Sequence, residues 1–157
     1  SYCLKFGAQV YFYDPFKNNY NKKIKKISNI KRFLKLIDIL SIHIHLNNKT
    51  KDLMNNRLLK NLKKNILIIN TSRGEIINEN HLLSFMKKNR YSKFAADVIT
   101  HELGNLYQSK LISFFKKNRD RVLLTPHLGG STFQAQGIAY FKSLDNLIEF
   151  DNKLNKY

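Results

Sequence analysis

Three short runs carry residue types that could do chemistry together: Asn70-Thr71-Ser72-Arg73-Gly74, then Asp97 with Glu102 beyond it, then Thr125-Pro126-His127-Leu128-Gly129-Gly130-Ser131-Thr132. Each follows an apolar stretch of strand character, so an arginine, a carboxylate and a histidine are expected at the same edge of one parallel sheet. A fixed cation, an anion and a group that exchanges protons near neutral pH are the parts of a keto-acid reductase.

The elements that must position them follow from residue pattern. Gln9-Val10-Tyr11-Phe12-Tyr13 is rich in β-branched and aromatic residues and stops at Asp14-Pro15, which predicts a strand ended by a turn. After a lysine-rich connection, Ser28 is placed to cap a helix whose apolar positions Ile30, Phe33, Leu34 and Ile37 have helical spacing. Further strands are predicted at Ile39 to Ile44, Ile66 to Ile69, Phe94 to Val98 and Arg121 to Leu124. Helices are predicted around Leu58, Leu59 and Leu62, around Leu82 to Met86, and from Ser131 onward with one broad apolar face. The stretch from Leu103 to Asp120 fits a helix or a packed loop. Strands alternating with helices, and strands that are almost continuously apolar, predict an α/β fold with a parallel sheet covered on both faces. In such a sheet ligands collect beyond the carboxyl ends of the strands, which makes Asp14, residues 43–47, residues 71–73, residues 97–102 and residues 125–127 the lining of one crevice.

Composition narrows the class. At 157 residues with 43% hydrophobic content, the chain is long enough for one domain with a sizeable core, and a second full domain does not fit. No stretch is long and apolar enough for a membrane helix, and the first residues are not a signal peptide, so a cytoplasmic setting is expected. A single cysteine, Cys3, excludes an internal disulfide. The 28 Lys and Arg against 11 Asp and Glu, a formal charge of +17, would ordinarily suggest nucleic acid. The lysines occur throughout the chain, however, and their densest cluster, Lys22-Lys23-Ile24-Lys25-Lys26, has no stacking platform or recognition helix, so a solvated basic face is the expectation.

Tyr13-Asp14-Pro15, Asn70 to Gly74, Ala96-Asp97-Val98 with Glu102, and Thr125 to Thr132 together resemble the nucleotide-binding domain of the D-isomer-specific 2-hydroxyacid dehydrogenases. The run ending Gly129-Gly130-Ser131-Thr132 is most similar to the phosphoglycerate dehydrogenase branch. The match extends from about Phe6 to the closing helix and preserves order and spacing, which a lone Thr-Ser-Arg-Gly would not.

The resemblance implies a Rossmann-type, doubly wound parallel sheet, NAD as cofactor and a D-2-hydroxy acid or 2-keto acid as substrate. His127 would be the proton donor, and Glu102 would orient its imidazole and favour the protonated form. Arg73 would bind the substrate carboxylate and polarise the carbonyl. Asp14 would accept from the adenine ribose, favouring NAD over NADP, with Lys17 close enough to soften that preference. Thr71, Ser72, Arg73, Asp97, His127, Gly129 and Gly130 would touch the nicotinamide half, and backbone around His43 would pass beneath the ribose. Self-association as a dimer is likewise implied. His45 stands where relatives usually have proline.

Ordinary alternatives exist for each residue. Arg73 could pair with Glu75 at the surface, His127 could be only a turn residue, and Asp97 could cap or hold its loop. His43 and His45 share a strand face as metal ligands sometimes do, but no third ligand is evident, so no metal is expected. His101 is ambiguous beside Glu102, and His81 is expected at the surface. A non-enzymatic NAD-binding regulator and a basic nucleic-acid binder are the rival functions.

By the resemblance, a glycine-rich phosphate loop, the central first strand and a substrate domain precede the segment that Tyr2 to Gly7 finishes. The 157 residues are therefore expected to be a partial NAD-binding domain from a truncated frame, a processed piece or a split enzyme. The strands at Val10 to Tyr13 and at Ile39 to Ile44 would then present unpaired edges or close together. Isothermal titration of the isolated chain with NAD is expected to give an affinity weaker than micromolar; submicromolar binding would contradict this reading.

Overall fold

The structure is a computed structural model that describes residues 2–154 apart from 19, 101, 103 and 105–108, with backbone alone at 152–154. The chain divides into two units, Ser1–Leu124 and Thr125–Tyr157.

The first unit opens with α1 (Tyr2–Lys5), which ends at Gly7 with a left-handed φ of 78° that glycine adopts without a Cβ penalty. Two short strands follow, β1 (Tyr11–Phe12) and β2 (Lys25–Lys26), then α2 (Ile30–Leu36). The main sheet is built from β3 (Ile39–Ile42), β4 (Leu67–Asn70), β5 (Lys93–Ala96) and β6 (Val122–Leu124), in that order and parallel throughout. Its connections contain α3 (Asn56–Leu59), α4 (Glu79–Lys88) and α5 (Lys110–Lys117). The stretch from Leu103 to Asp120, which fits a helix or a packed loop by pattern, thus contains a helix, which begins where Ser109 accepts from Ile112 N. His101 lies outside the described residues.

Register explains the core. Leu40, Ile68, Phe94 and Val122 are aligned across all four strands and are 6%, 0%, 3% and 2% exposed. Fully burying an aliphatic side chain of this size is worth roughly 1.5–3 kcal/mol. Leu34, Leu59, Leu82, Met86 and Leu111 complete the same apolar cluster from the helices. The opposite face is covered only in part, since Ile39 is 58% and Leu123 is 61% exposed. Burial therefore alternates along β3 and β4, which corrects the expectation of strands buried on both faces.

Three further expectations are revised. The lysine-rich connection contains β2, because Lys25 N donates to Val10 O at 2.9 Å and Ile27 N to Phe12 O at 2.9 Å. That parallel ladder uses only backbone groups and leaves no apolar signature. The strands accordingly form two sheets rather than one: β1 has β2 as its partner, and β3 pairs with β4 alone among the described residues. Finally, Asn29 rather than Ser28 caps α2, its side chain accepting from Arg32 N at 3.0 Å.

Arg121, just before β6, ties β6 to two helices. Its Nη1 donates to the carbonyls of Met86 at 3.0 Å and Arg90 at 3.3 Å at the C-terminal end of α4, and its guanidinium lies 5.1 Å from the Phe114 ring centroid on α5. A cation there meets carbonyls that the helix cannot satisfy internally.

The second unit begins with a turn in which Ser131 N donates to Leu128 O at 3.1 Å. Thr132 Oγ1 then accepts from Ala135 N at 3.1 Å and starts α6 (Phe133–Leu154), as expected of a long closing helix. Its Phe133, Phe141, Leu144, Leu147 and Ile148 are exposed.

Gly74 is the tightest constraint in the first unit. It is buried, and a Cβ built on it would fall inside the backbone envelope of Ile99 and Thr100. Neither neighbour is a flexible side-chain end, so the backbone itself would have to move. Gly74→Ala is expected to destabilise the chain by about 3 kcal/mol, at the upper end of overpacking penalties. Urea denaturation should show a lower midpoint with an unchanged m-value, and a midpoint equal to wild type would show that the two segments separate without cost.

Candidate functional site

The main-sheet strands end almost level, because Ile42, Asn70, Ala96 and Leu124 are partners in register. The residues that leave the first three are His43, Thr71 and Asp97. An edge of this kind gathers loops that are distant in sequence.

Asn70 organises the Arg73 turn. It is a polar side chain only 1% exposed, and burial of an amide requires its groups to be satisfied. Its Nδ2 donates to Arg73 O at 2.8 Å, and its Oδ1 accepts from Ser72 N at 3.1 Å. Its backbone carbonyl accepts from Asp97 N at 3.1 Å, which joins the start of the carboxylate loop to the end of β4. Arg73 then adopts an extended conformation and precedes a short 3-10 helix, Gly74–Ile76. With Gly74 packed on the Ile99–Thr100 peptide, the Arg73 loop and the segment leading to Glu102 are held against one another through their backbones.

A second contact closes the other side. Ser72 Oγ donates to Ile44 O, so the loop after β4 is fastened to the loop after β3. Residues 43–46 and 71–73 together line a cavity of about 400 Å³. His43, Thr71, Ser72 and Arg73, all expected around a bound cofactor, are thus brought together. The Ser72 hydroxyl already has a partner within the protein, so its role here is to join the two loops. His43 Nε2 lies 2.7 Å from Ser41 Oγ. Arg73 is exposed and its Nη1 donates to Ser72 O at 2.7 Å. It forms no ion pair with Glu75 among the described residues.

Asp14 lies on the other sheet's continuation. Half-buried, it follows β1, and its Oδ1 accepts from Phe16 N at 2.8 Å and Lys17 N at 3.1 Å. That turn fixes the carboxylate while employing one of its two oxygens. Asp97 and Glu102 are half-buried, and both have bonding partners. His127, Gly129 and Gly130 belong to the second unit. His127 has a left-handed φ of 55°, uncommon for a residue with a Cβ, and its carbonyl accepts from Ser131 Oγ at 3.3 Å. Gly130 has open space where a Cβ would stand. His81 is exposed on α4, as expected. No group of three or more metal-ligating side chains is gathered among the described residues.

Two residues that matter for this geometry had no assigned role in the sequence. Asn70 stood inside the quoted run, and the signal was a polar residue ending an otherwise apolar strand. Glu79, at the start of α4, accepts from Leu111 N at 2.6 Å and from Ser109 Oγ at 3.0 Å, holding the N-terminus of α5 and so the far end of the segment that contains Glu102. Nothing local to Glu79 announces that contact.

The chain is 28% identical to D-3-phosphoglycerate dehydrogenase of Haemophilus influenzae over 93% of its own length and 35% of the relative's. It is 35% identical to D-3-phosphoglycerate dehydrogenase of Bacillus subtilis over 83% of its length and 24% of that relative. Among solved structures, an acyclic imino acid reductase in complex with NADPH and D-Arg superposes with a TM-score of 0.81 at 25% identity, covering 97% of this chain and 46% of the other. The chain therefore spans less than half the length of each of these three proteins. Over residues 1–129 it matches the model for the NAD binding domain of D-isomer specific 2-hydroxyacid dehydrogenases, and it belongs to that family.

Proposed function

We propose that this chain is the NAD-binding and catalytic half of an oxidoreductase that interconverts a D-2-hydroxy acid and its 2-keto acid, of the phosphoglycerate dehydrogenase type. The observation that carries this reading is the Arg73 loop. The backbone that carries Arg73 is held at the carboxyl edge of a parallel sheet by Asn70, Gly74 and Ser72, beside a cavity whose other wall is the His43 loop.

The residues present fit a dinucleotide. Residues 43–46 and 71–73 line the cavity and no carboxylate does, which suits a nicotinamide ribose. Asp14 retains an oxygen for the hydroxyls of an adenine ribose. Bound there, NADH supplies the hydride that goes to the carbonyl carbon. Arg73 holds the substrate carboxylate through its fork of donors and draws electron density from the adjacent carbonyl. His127 gives a proton to the carbonyl oxygen, and Glu102 is the companion that orients its ring and favours the cationic form. Asp97 and the turn at Gly129 and Gly130 take the nicotinamide side.

Reading the gene upstream of the Ser1 codon tests the class of protein: a substrate domain with a glycine-rich loop supports the enzyme, and a different fused module supports an NAD-binding regulator. In the protein encoded by the whole reading frame, His127→Gln is expected to lower kcat about 10²–10⁴-fold while leaving NADH affinity near wild type. Arg73→Lys is expected to raise KM for the keto acid about ten- to a hundredfold, the equivalent of a charged hydrogen bond. Steady-state NADH oxidation with a panel of 2-keto acids measures both, and full activity in either variant would refute the assigned role. For the cofactor, calorimetry is expected to favour NADH over NADPH by about tenfold, and Asp14→Asn is expected to remove that preference by abolishing the repulsion of a 2′-phosphate. Equal affinities in the unaltered protein would assign Asp14 to its turn alone.

A further inference from the structure

Glu79 is the first residue of α4, yet its carboxylate serves the start of a second helix. Its Oε1 accepts from Leu111 N at 2.6 Å and from Ser109 Oγ at 3.0 Å, so one oxygen takes both donors across 32 and 30 positions of chain. The Leu111 N–H is one that the start of α5 leaves without a partner inside the helix, and an anion there meets the positive end of the helix dipole. The cap of α4 itself does not use Glu79, because Asn78 accepts from His81 N at 3.1 Å. Beside this contact Lys110 Nζ donates to Asn80 Oδ1 at 3.1 Å, so the two helices are joined where both begin. No ion pair engages Glu79 among the described residues.

What that joint controls follows from the chain order. The chain leaves β5 at Ala96 and enters α5 at Lys110, and Glu102 is carried between them. The near end of this connection is fixed to the Arg73 loop, by Asp97 N on Asn70 O and by Gly74 against the Ile99–Thr100 peptide. The far end is fixed by Glu79. Glu79 also lines one small cavity with Asn70, Gly74, Thr100 and Leu111, so it shares a wall with the residue two positions before Glu102. A connection held at both ends has fewer arrangements open to it than one held at a single end. We propose that Glu79 is a positioning residue for the Glu102 carboxylate, acting by holding the start of α5 against the start of α4. This rests on the reading of Glu102 as the companion that orients the His127 ring. Glu79 itself takes no part in the proton transfer.

A double-mutant cycle with Glu102 tests this in the protein encoded by the whole reading frame, with NADH oxidation by a panel of 2-keto acids as the assay. Glu79→Ala is expected to lower kcat about tenfold while KM for NADH and for the keto acid stays near wild type. Glu79→Gln is expected to keep kcat within about twofold, since its amide oxygen can accept from the same two donors. In a Glu102→Gln background, Glu79→Ala is expected to cost less than about twofold more, because the group it positions no longer acts. A Glu79 that only stabilises the fold would give the same loss in both backgrounds. Thermal unfolding confirms that each variant is folded, and Glu79→Asp, shorter by one methylene with its charge kept, replaces the alanine variant if that one does not fold. Unchanged kcat in the folded variant, or equal losses in the two backgrounds, overturns the role of Glu79 alone. Full activity in Glu102→Gln overturns the reading of Glu102 on which the proposal rests, and no turnover of any 2-keto acid by the unaltered protein overturns the proposed reaction with it.

Discussion

The Arg73 loop has its shape because residue 74 lacks a side chain. The peptide between Ile99 and Thr100 occupies the space that a Cβ would need, so two loops from neighbouring strands are in backbone contact. Backbone contacts of this kind leave little freedom: side chains can change rotamer, whereas two peptides in contact can separate only if strands or loops shift. The position of the Arg73 backbone relative to the loop leading to Glu102 is therefore set by packing more than by any attraction between charges. An ion pair at an exposed surface would be a weak substitute, since solvent screens it and its flexible side chains must be ordered.

Asn70 and Ser72 extend that constraint in opposite directions. The buried amide of Asn70 satisfies the Arg73 carbonyl and the Ser72 N–H, and its own carbonyl takes Asp97 N, so one residue links the turn to the adjacent strand's loop. Ser72 reaches the Ile44 carbonyl on the other side. Three loops are thereby joined at the rim of the sheet by polar groups whose alternatives would be unsatisfied atoms in a partly dry environment, and the described residues contain no buried side-chain N or O without a partner. This economy explains how a sheet of four short strands can present a defined cavity.

Much of the fold was legible from residue pattern. The apolar runs at Ile66 to Ile69 and Phe94 to Val98 became β4 and β5 within one or two residues, and the spacing of Leu82, Leu83, Phe85 and Met86 became the buried side of α4. Where the pattern failed, the determining groups were in the backbone or far away in sequence. Lys25 and Lys26 form a strand through main-chain bonds to β1, so no hydrophobic alternation marks them. Ile39 and Leu123 are apolar yet exposed, which a count of apolar residues cannot distinguish from burial. The residue types of the site were equally legible, but the use of Ser72 as a fastening between loops was not.

The sequence by itself determined most of the elements and their order, because helical and strand periodicity and the polar residues that end each strand are local properties. Only the tertiary structure decided which of those polar residues meet. Ser72 and the Ile44 carbonyl are 28 positions apart, and Glu79 and Leu111 are 32 apart. Bonds over such separations exist only after the strands have aligned and their buried rows have packed, since parallel register, not neighbouring sequence, brings the two ends together.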